Sequence, residues 1–523
     1  MSTKRLVSML LCLLMVCTST VYASAAQERP ADRIKFSATS INLPANVSFM
    51  DDPIYKKFDE MFNFEYDLIS ITWETWAERD RVWINSGDMP DMLFWDFNLK
   101  DYNSYKDQGL IKALPADYKE KYPNLAAAME KTGVAGYLQE NDPNKLLYMI
   151  PNIIYLQPPT ETTDLIISPN VIYYRKDWAK KVGIEVGDTL TIDQLVELGK
   201  AFIEKDPEGN GGGKTIGFTA TPNNVNSIVQ TYNSFFNTFH KDADGKYVWG
   251  GFEDSTLEGV KRLREVFETG VIDPEYFTFK AKEHYEKFDT GIAGMFIDGA
   301  SAANVNERMV SFAANNPDKN PSECIGLATL VGPDGKFHGQ QNILNYWAAL
   351  LFNPNLDDKT FDRILSILDY VTTPEGQRLI NAGVEGVDYK MENGDMVITR
   401  EKDSNGAYVY MGDKYPSYNF FFTKAVLPDD WSSRDPSLPA AARENAVNMF
   451  RVKEKITDLI EPDYDFLFFT GEKKLRFSLL IDNLITDMVI SNEPVQTVWE
   501  NHLKDNEAAV SGVTDELNAA LAK

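Results

Sequence analysis

Cysteine is nearly absent from the 523-residue chain, which holds three. Cys12 and Cys17 fall in an apolar N-terminal leader, so the body keeps Cys324 alone. A single thiol closes no internal disulfide, and without paired CxxC spacings there is no zinc cluster. Cys324 therefore reads as a small buried hydrophobe. Histidine is as scarce: His240, His284, His338 and His502 lie far apart and none belongs to an HExxH motif. No GxSxG turn exists to present an acyl-transfer serine. Beyond the leader no apolar run approaches the roughly eighteen residues of a bilayer span. Positive charge is also in deficit, with a formal net charge of −26. Such a body releases no counterions from nucleic acid, which excludes that partner as a main function. A small acidic ligand stays open, because a local basic pocket can exist within an acidic whole.

What is present is core-forming material: 43% hydrophobic and 12% aromatic residues, with 32 Gly and 25 Pro in no periodic pattern. That rules out collagen-like and low-complexity classes and favours a large globular body. At the start, Lys4-Arg5, the apolar Leu6 to Val16 and the small-residue site Ala23-Ser24-Ala25 follow the order of a secretory signal peptide, residues 1–25. Leu14-Met15-Val16-Cys17 offers a competing reading, lipidation at Cys17, although Val16 is bulky for such a site. Either way the expected location is extracellular, secreted or attached to the cell surface at the outer face of the cytoplasmic membrane.

Apolar periodicity predicts strands over 34–40, 64–72, 92–95, 171–174, 294–297 and 348–352, alternating with helices over 75–85, 191–204, 257–267 and 361–372. Thr191 is a fair helix cap and Asp244-Gly245 a hairpin turn. Helical stretches over 475–490 and 495–509 close the chain. Strands alternating with helices of this length define an α/β class.

Glu208-Gly-Asn-Gly-Gly-Gly-Lys214-Thr215 has the tail of a phosphate-binding loop. Glu208 stands where Gly is needed, however, and a helix precedes the loop instead of a strand. The same stretch has Asp206, Glu208 and Asn210 at alternate positions with Gly211 after them, the opening of a calcium loop. Lys214, Thr215 and Gly217 then supply no late carboxylate, so calcium competes with a plain Gly-rich turn. No other cofactor is indicated. The 78 acidic residues offer many carboxylate pairs for glycoside chemistry, but nothing singles out two of them.

Four blocks together resemble family 1 extracellular solute-binding proteins of the maltose-binding type, the sugar-binding components of ABC importers. They are Ser86-Gly-Asp-Met-Pro-Asp91-Met-Leu-Phe-Trp95-Asp96 with Gly109-Leu-Ile; Val171-Ile-Tyr-Tyr-Arg175-Lys-Asp-Trp178 with Thr191-Ile-Asp-Gln-Leu195; Gly291-Ile-Ala-Gly-Met295-Phe-Ile-Asp298; and Leu368 to Gly376 with Gly383-Val-Glu-Gly386. The resemblance implies a two-lobe periplasmic-binding-protein type II fold, with crossing strands as hinge and the ligand cleft between lobes. Mapped by the blocks, the crossings fall at 171–175, 291–298 and 345–351. Lobe one becomes 33–172 plus 293–345, and lobe two 173–292 plus 346–523 with the C-terminal helices. It also implies an oligosaccharide ligand, an ABC permease partner and a monomeric binding protein that is not an enzyme. In the large lipoprotein-like subgroup some relatives hold calcium at the segment matching Asp206 to Asn210.

A sugar site needs flat aromatic platforms for C–H faces and fixed polar groups for hydroxyls. Trp95 and Asp96 offer both at a strand end, with Trp95 as a core residue the competing reading. Trp73 and Asp298 follow strands where ligands of α/β sheets bind. Tyr173 and Arg175 at the first crossing, and Trp347 at the third, complete the expected set. The alternative function is a secreted carbohydrate-active enzyme, a lyase or glycoside hydrolase.

Overall fold

The computed structural model describes residues 29–521 apart from 42, 45–46, 73–74, 96–98, 132, 154–169, 280–282, 339–345, 404–406, 425–430, 458–459 and 461. Its strands are β1 (Ile34–Ile41), β2 (Phe64–Ile71), β3 (Met92–Trp95), β4 (Ile150–Ile153), β5 (Asn170–Arg175), β6 (Thr189–Thr191), β7 (Phe239–Lys241), β8 (Tyr247–Trp249), β9 (Met295–Gly299), β10 (Ile325–Val331), β11 (Tyr346–Phe352), β12 (Tyr389–Glu392) and β13 (Asp395–Ile398). Sheet one runs β2-β1-β3-β11-β4 and sheet two runs β6-β10-β5-β9. Helices cover both faces of such sheets, so their inner strands read as unbroken apolar runs. Every residue of β10 is buried, as is every residue of β3.

Local signals place the helices. Thr191 caps the helix Ile192–Lys205 through a reciprocal pair: its Oγ1 accepts from the Gln194 amide, and the Gln194 side chain accepts from the Thr191 N–H. Gly183 ends the helix Lys176–Val182 at φ 81°, where a side chain is strained. The Asp244-Gly245 turn joins β7 to β8. The predicted helix over 475–490 is instead two, Glu472–Arg476 and Ile481–Ile490. Phe477 between them packs edge-on against Phe239 and Trp249, each with ring centroids 5.1 Å away, and that tertiary contact breaks the periodicity.

The expected lobe boundaries need correction. β9 and β10 hydrogen-bond to β5, so 293–331 belongs with lobe two. β11 inserts between β3 and β4, and the helices Asp358–Thr372 and Pro374–Asn381 follow it in lobe one. Residues 291–298 are therefore no crossing, and 171–175 is a strand within sheet two. An apolar run looks alike whether it crosses between sheets or lies inside one; only its hydrogen-bond partner differs. Among the described elements the chain changes lobe three times, between β4 and β5, between β10 and β11, and between the helix Tyr418–Lys424 and the turn at Trp431–Arg434.

A fourth link is made by side chains. Phe468 of the short helix Tyr464–Phe468 stacks on Tyr137 of lobe one at 5.6 Å, while Phe466 packs beside Tyr247 of lobe two at 5.9 Å. The Tyr247 hydroxyl donates to Asp463 at 2.7 Å and the Tyr137 hydroxyl to Asp465 at 2.9 Å. Replacing a buried Phe by Ala costs about 3–5 kcal/mol. Phe468→Ala should therefore lower stability by about 3 kcal/mol in urea denaturation, and a midpoint equal to the parent's would mean that this segment only drapes over lobe one.

Candidate functional site

The strand registers define the two edges that face each other. In sheet one, β1 and β2 end together at Ile41 and Ile71, and β3 runs parallel to them. β11 runs antiparallel, with Ala349 opposite Trp95, so it starts at the edge where β3 ends. Tyr346 pairs with Ile153 there, and the chain leaves for lobe two from that residue. In sheet two, β5 starts and β9 ends at the facing edge, with Asn170 opposite Gly299. The carboxyl edge of an α/β sheet is where ligands bind.

Of the expected site residues, Asp298 and the backbone of Trp347 lie at these edges. Trp73 follows the end of β2 and Asp96 the end of β3; both lie outside the described residues. Trp347 is the second residue of β11, its side chain also outside them. Asp298 is half-buried on β9, opposite Val171, and accepts from the Tyr285 hydroxyl.

Three expected residues are elsewhere, and the reason is burial. Trp95 is fully enclosed in the core of lobe one, near Tyr105 at 6.3 Å, which leaves no face for a sugar ring. Tyr173 is fully buried, stacks on Phe296 at 4.7 Å and donates its hydroxyl to the Gly299 carbonyl at 2.7 Å. Burial holds its pKa well above the usual phenol value. Arg175 ends β5 opposite Ile325, at the far side of sheet two from the cleft. Alternation along a strand told these side chains apart only as in or out, and both faces of these sheets are in.

Arg175 instead meets the loop suspected of holding calcium. Its guanidinium, fully buried, donates to Asp177 at 2.8 and 2.7 Å and to Glu208 at 2.7 Å. The Trp178 indole N–H donates to the same Glu208 oxygen at 2.7 Å, and the Lys319 ammonium takes the other oxygen. Asp206 accepts from Thr215 Oγ1 at 2.6 Å and from the Asn210 and Gly211 amides at 3.0 and 2.9 Å. Asn210 turns its amide donors to Thr215 and to the Gly291 carbonyl. These residues do not fit calcium. The Asp206 and Glu208 oxygens accept from internal donors, and no late carboxylate completes a shell. Among the described residues no three His, Cys, Asp or Glu cluster to hold a metal.

A large cavity, about 1190 Å³, lies between the lobes. The helix Ala302–Asn315, which begins just after β9, and residues 431–439 form one wall; Asn381, Arg400, Lys402, Ala407, Tyr408, Tyr410, Met411 and Tyr418 form the other. Trp431, Tyr408, Tyr410 and Tyr418 line it as aromatic surfaces beside Arg400, Lys402, Asn306 and Asp435. Trp431 and Tyr408 pack against the small apolar cluster of Ala382, Tyr389 and Ile398, which fixes them. Tyr410 and Tyr418 meet edge to face at 5.5 Å. Burial raises the Asp435 pKa, against donors from Ser437 and the nearby Arg400 charge.

Asp388 organises the strand that carries Arg400. Fully buried, it accepts from the Tyr415 hydroxyl at 2.9 Å, Lys414 at 3.0 Å and the Val384 amide at 2.8 Å. Its own carbonyl accepts from the Thr399 and Arg400 amides. Gly383 is required beside it: at φ 93° a Cβ would come within 2.3 Å of the Asp388 carboxylate. The sequence reading missed this wall. Its one signal is the density of aromatics in a polar stretch, Tyr408, Tyr410, Tyr415 and Tyr418.

Two α/β lobes with a cavity between them, joined by three chain passages, define a solute-binding protein architecture. The chain belongs to the bacterial extracellular solute-binding protein family, whose model matches residues 42–378. It is 25% identical over 374 residues to lipoprotein LipO of Bacillus subtilis (strain 168), covering 68% of each chain. It is 30% identical over 275 residues to the fructooligosaccharide ABC transporter substrate-binding protein FusA of Streptococcus pneumoniae serotype 4, covering 50% of this chain and 47% of FusA. The FusA structure in complex with kestose superposes with a TM-score of 0.64 at 19% identity, over 93% of this chain and 100% of FusA. A structure of alginate-binding protein AlgQ2 without calcium ion does so at 0.62 and 18% identity, over 94% and 98%. No helix among the described residues is long and apolar enough to cross a membrane.

The Glu208 cluster yields two tests. Partial burial opposes ionisation of Glu208, yet the Lys319, Trp178 and Arg175 donors outweigh it and lower its pKa from 4.5 to about 2. A depressed folded-state pKa adds stability above pH 4.5 that is lost as pH falls toward 2. Glu208→Gln should therefore melt lower than the parent at neutral pH and converge with it toward pH 2. In the parent, excess calcium and chelator should give the same melting temperature, and a calcium-dependent rise would contradict the internal-donor arrangement.

Proposed function

We propose that the protein captures an oligosaccharide between its lobes and delivers it to the permease of an ABC importer on the outer face of the cytoplasmic membrane. The observation that carries this reading is the interlobe cavity with its packed aromatic wall, Trp431, Tyr408 and Tyr410, beside fixed polar groups. Aromatic faces take up the C–H surface of a sugar, and Arg, Asp and Asn groups take its hydroxyls. Family membership and the sugar-binding FusA and AlgQ2 support it over an enzyme. Asp298, on β9 at the facing edge of sheet two, extends the site; Trp73, Asp96 and Trp347 stay in it as candidates from the sequence. The likeness to lipoprotein LipO supports attachment through Cys17, with release after Ala25 the other outcome of processing. The working unit is a monomer.

Closure of two lobes over a ligand makes the molecule more compact. Small-angle scattering should give a smaller radius of gyration at saturation with an oligosaccharide found by thermal-shift screening, and the ligand should be recovered unchanged. Trp431→Ala, folded by circular dichroism, should lose about tenfold to thirtyfold in affinity, since an aromatic anchor is worth roughly 2 kcal/mol. Unaltered affinity would remove this wall from the site, and product accumulating over time would favour the enzyme reading.

A further inference from the structure

FusA and AlgQ2 carry a neutral and an acidic sugar in their names, so relatives do not decide the charge of this ligand. The cavity itself bears on it. Arg400 lines the cavity and is only 5% exposed. Its Nη1 donates to the Met411 thioether at 2.8 Å, a weak acceptor, and its Nε has no hydrogen-bond partner. No ion pair within 4.0 Å neutralises it among the described residues, whereas Arg308 and Lys414 nearby each find two carboxylates. Lys402, also on the cavity wall, lies 4.6 Å over the Tyr408 ring and likewise has no carboxylate partner among the described residues.

The acidic groups around them are committed. Glu401 is held by Lys414, and Asp388 by Lys414 and Tyr415. On the opposite wall Glu307 and Asp289 both pair with Arg308. Asp435 also lines the cavity; it accepts from the Ser437 amide at 2.8 Å, and burial raises its pKa against the pull of the nearby Arg400 charge. Lys414 and Arg308 are each shared by two acids, so what sets Arg400 and Lys402 apart is that, among the described residues, neither has a carboxylate within 4.0 Å, in a protein whose net charge is −26. A buried charge without a counter-ion is costly unless something pairs with it. A guanidinium matches a carboxylate in particular, through two parallel hydrogen bonds, and the thioether is a weak competitor for Nη1.

We infer that the ligand is an acidic oligosaccharide, one whose sugar units carry carboxylates, and that Arg400 is the residue that receives a carboxylate. This rests on the oligosaccharide reading above and adds the charge of the ligand to it. Trp431 and the tyrosines then hold the ring while Arg400 selects the acid. An anionic ligand also draws on Lys402 at the cavity mouth, so its affinity falls with salt.

The test is a panel of size-matched uronic-acid oligosaccharides and their carboxyl-reduced, neutral counterparts, titrated calorimetrically into the full-length protein. The acidic members should bind, and reduction of their carboxyls should weaken binding by roughly tenfold or more. Arg400→Gln should bring the acidic ligand down to the affinity of its reduced form, whereas Trp431→Ala should weaken both. Arg400→Lys retains the charge without the paired geometry and should fall between, which keeps the test valid if the Gln variant folds poorly. Binding confined to neutral members, or Arg400→Lys and Arg400→Gln both equal to the parent, overturns the inference and leaves the oligosaccharide reading standing. Binding to neither class, nor to any neutral oligosaccharide in the thermal-shift screen, overturns that reading together with the inference.

Discussion

Two sheets, each covered by helices on both faces, cannot share a ladder of hydrogen bonds, so the chain can join them only by running between their edges. It does so three times, and all the passages seen in register leave or enter at the edges that face one another. The cleft follows from this. Where strands end and connections begin, side chains are freed from sheet packing, and backbone and polar groups become available to a ligand. Deep within either sheet, residues such as Trp95 and Tyr173 are committed to the cores they hold together.

The same division separates stability from recognition. At the far end of sheet two, Arg175, Trp178 and Lys319 converge on Glu208 and tie the 206–215 loop to strand, helix and neighbouring turn. Most donors there meet a carboxylate, although Arg175 Nη1 has no hydrogen-bond partner. At the cavity the matching is incomplete: Arg400 is buried against a thioether, and Lys402 faces only a ring.

Bridging between lobes is distributed over more than the backbone passages. The helix Tyr464–Phe468 sends Phe468 into one core and Phe466 into the other. A rigid-body hinge must carry this segment with one lobe while it slides on the other, or bend around it. The turn Trp431–Arg434 is placed differently, since Trp431 leans on a small cluster of lobe one while Ser432 accepts from the Ala303 amide of lobe two. Closure of the lobes therefore acts directly on the aromatic wall of the cavity.

The strands over 34–40, 64–72 and 92–95, the capped helix after Thr191 and the hairpin at Asp244-Gly245 were all readable from periodicity and local capping, because each depends on neighbours within a few residues. The family was readable from four blocks in order. Which sheet a strand joins was not: Gly294 to Ile297 and Ala348 to Phe352 are equally apolar, and β9 and β11 differ only in distant hydrogen-bond partners. Nor could spacing tell that Glu208 meets Lys319, a residue 111 positions away. Arg400 and Trp431 escaped notice for the same reason, since a cavity wall is assembled from segments that touch only after the chain has crossed between lobes. Sequence alone determined the local elements and the kind of protein; the tertiary structure decided which side chains are buried as core and which face the cleft, because burial is a property of partners brought from far along the chain.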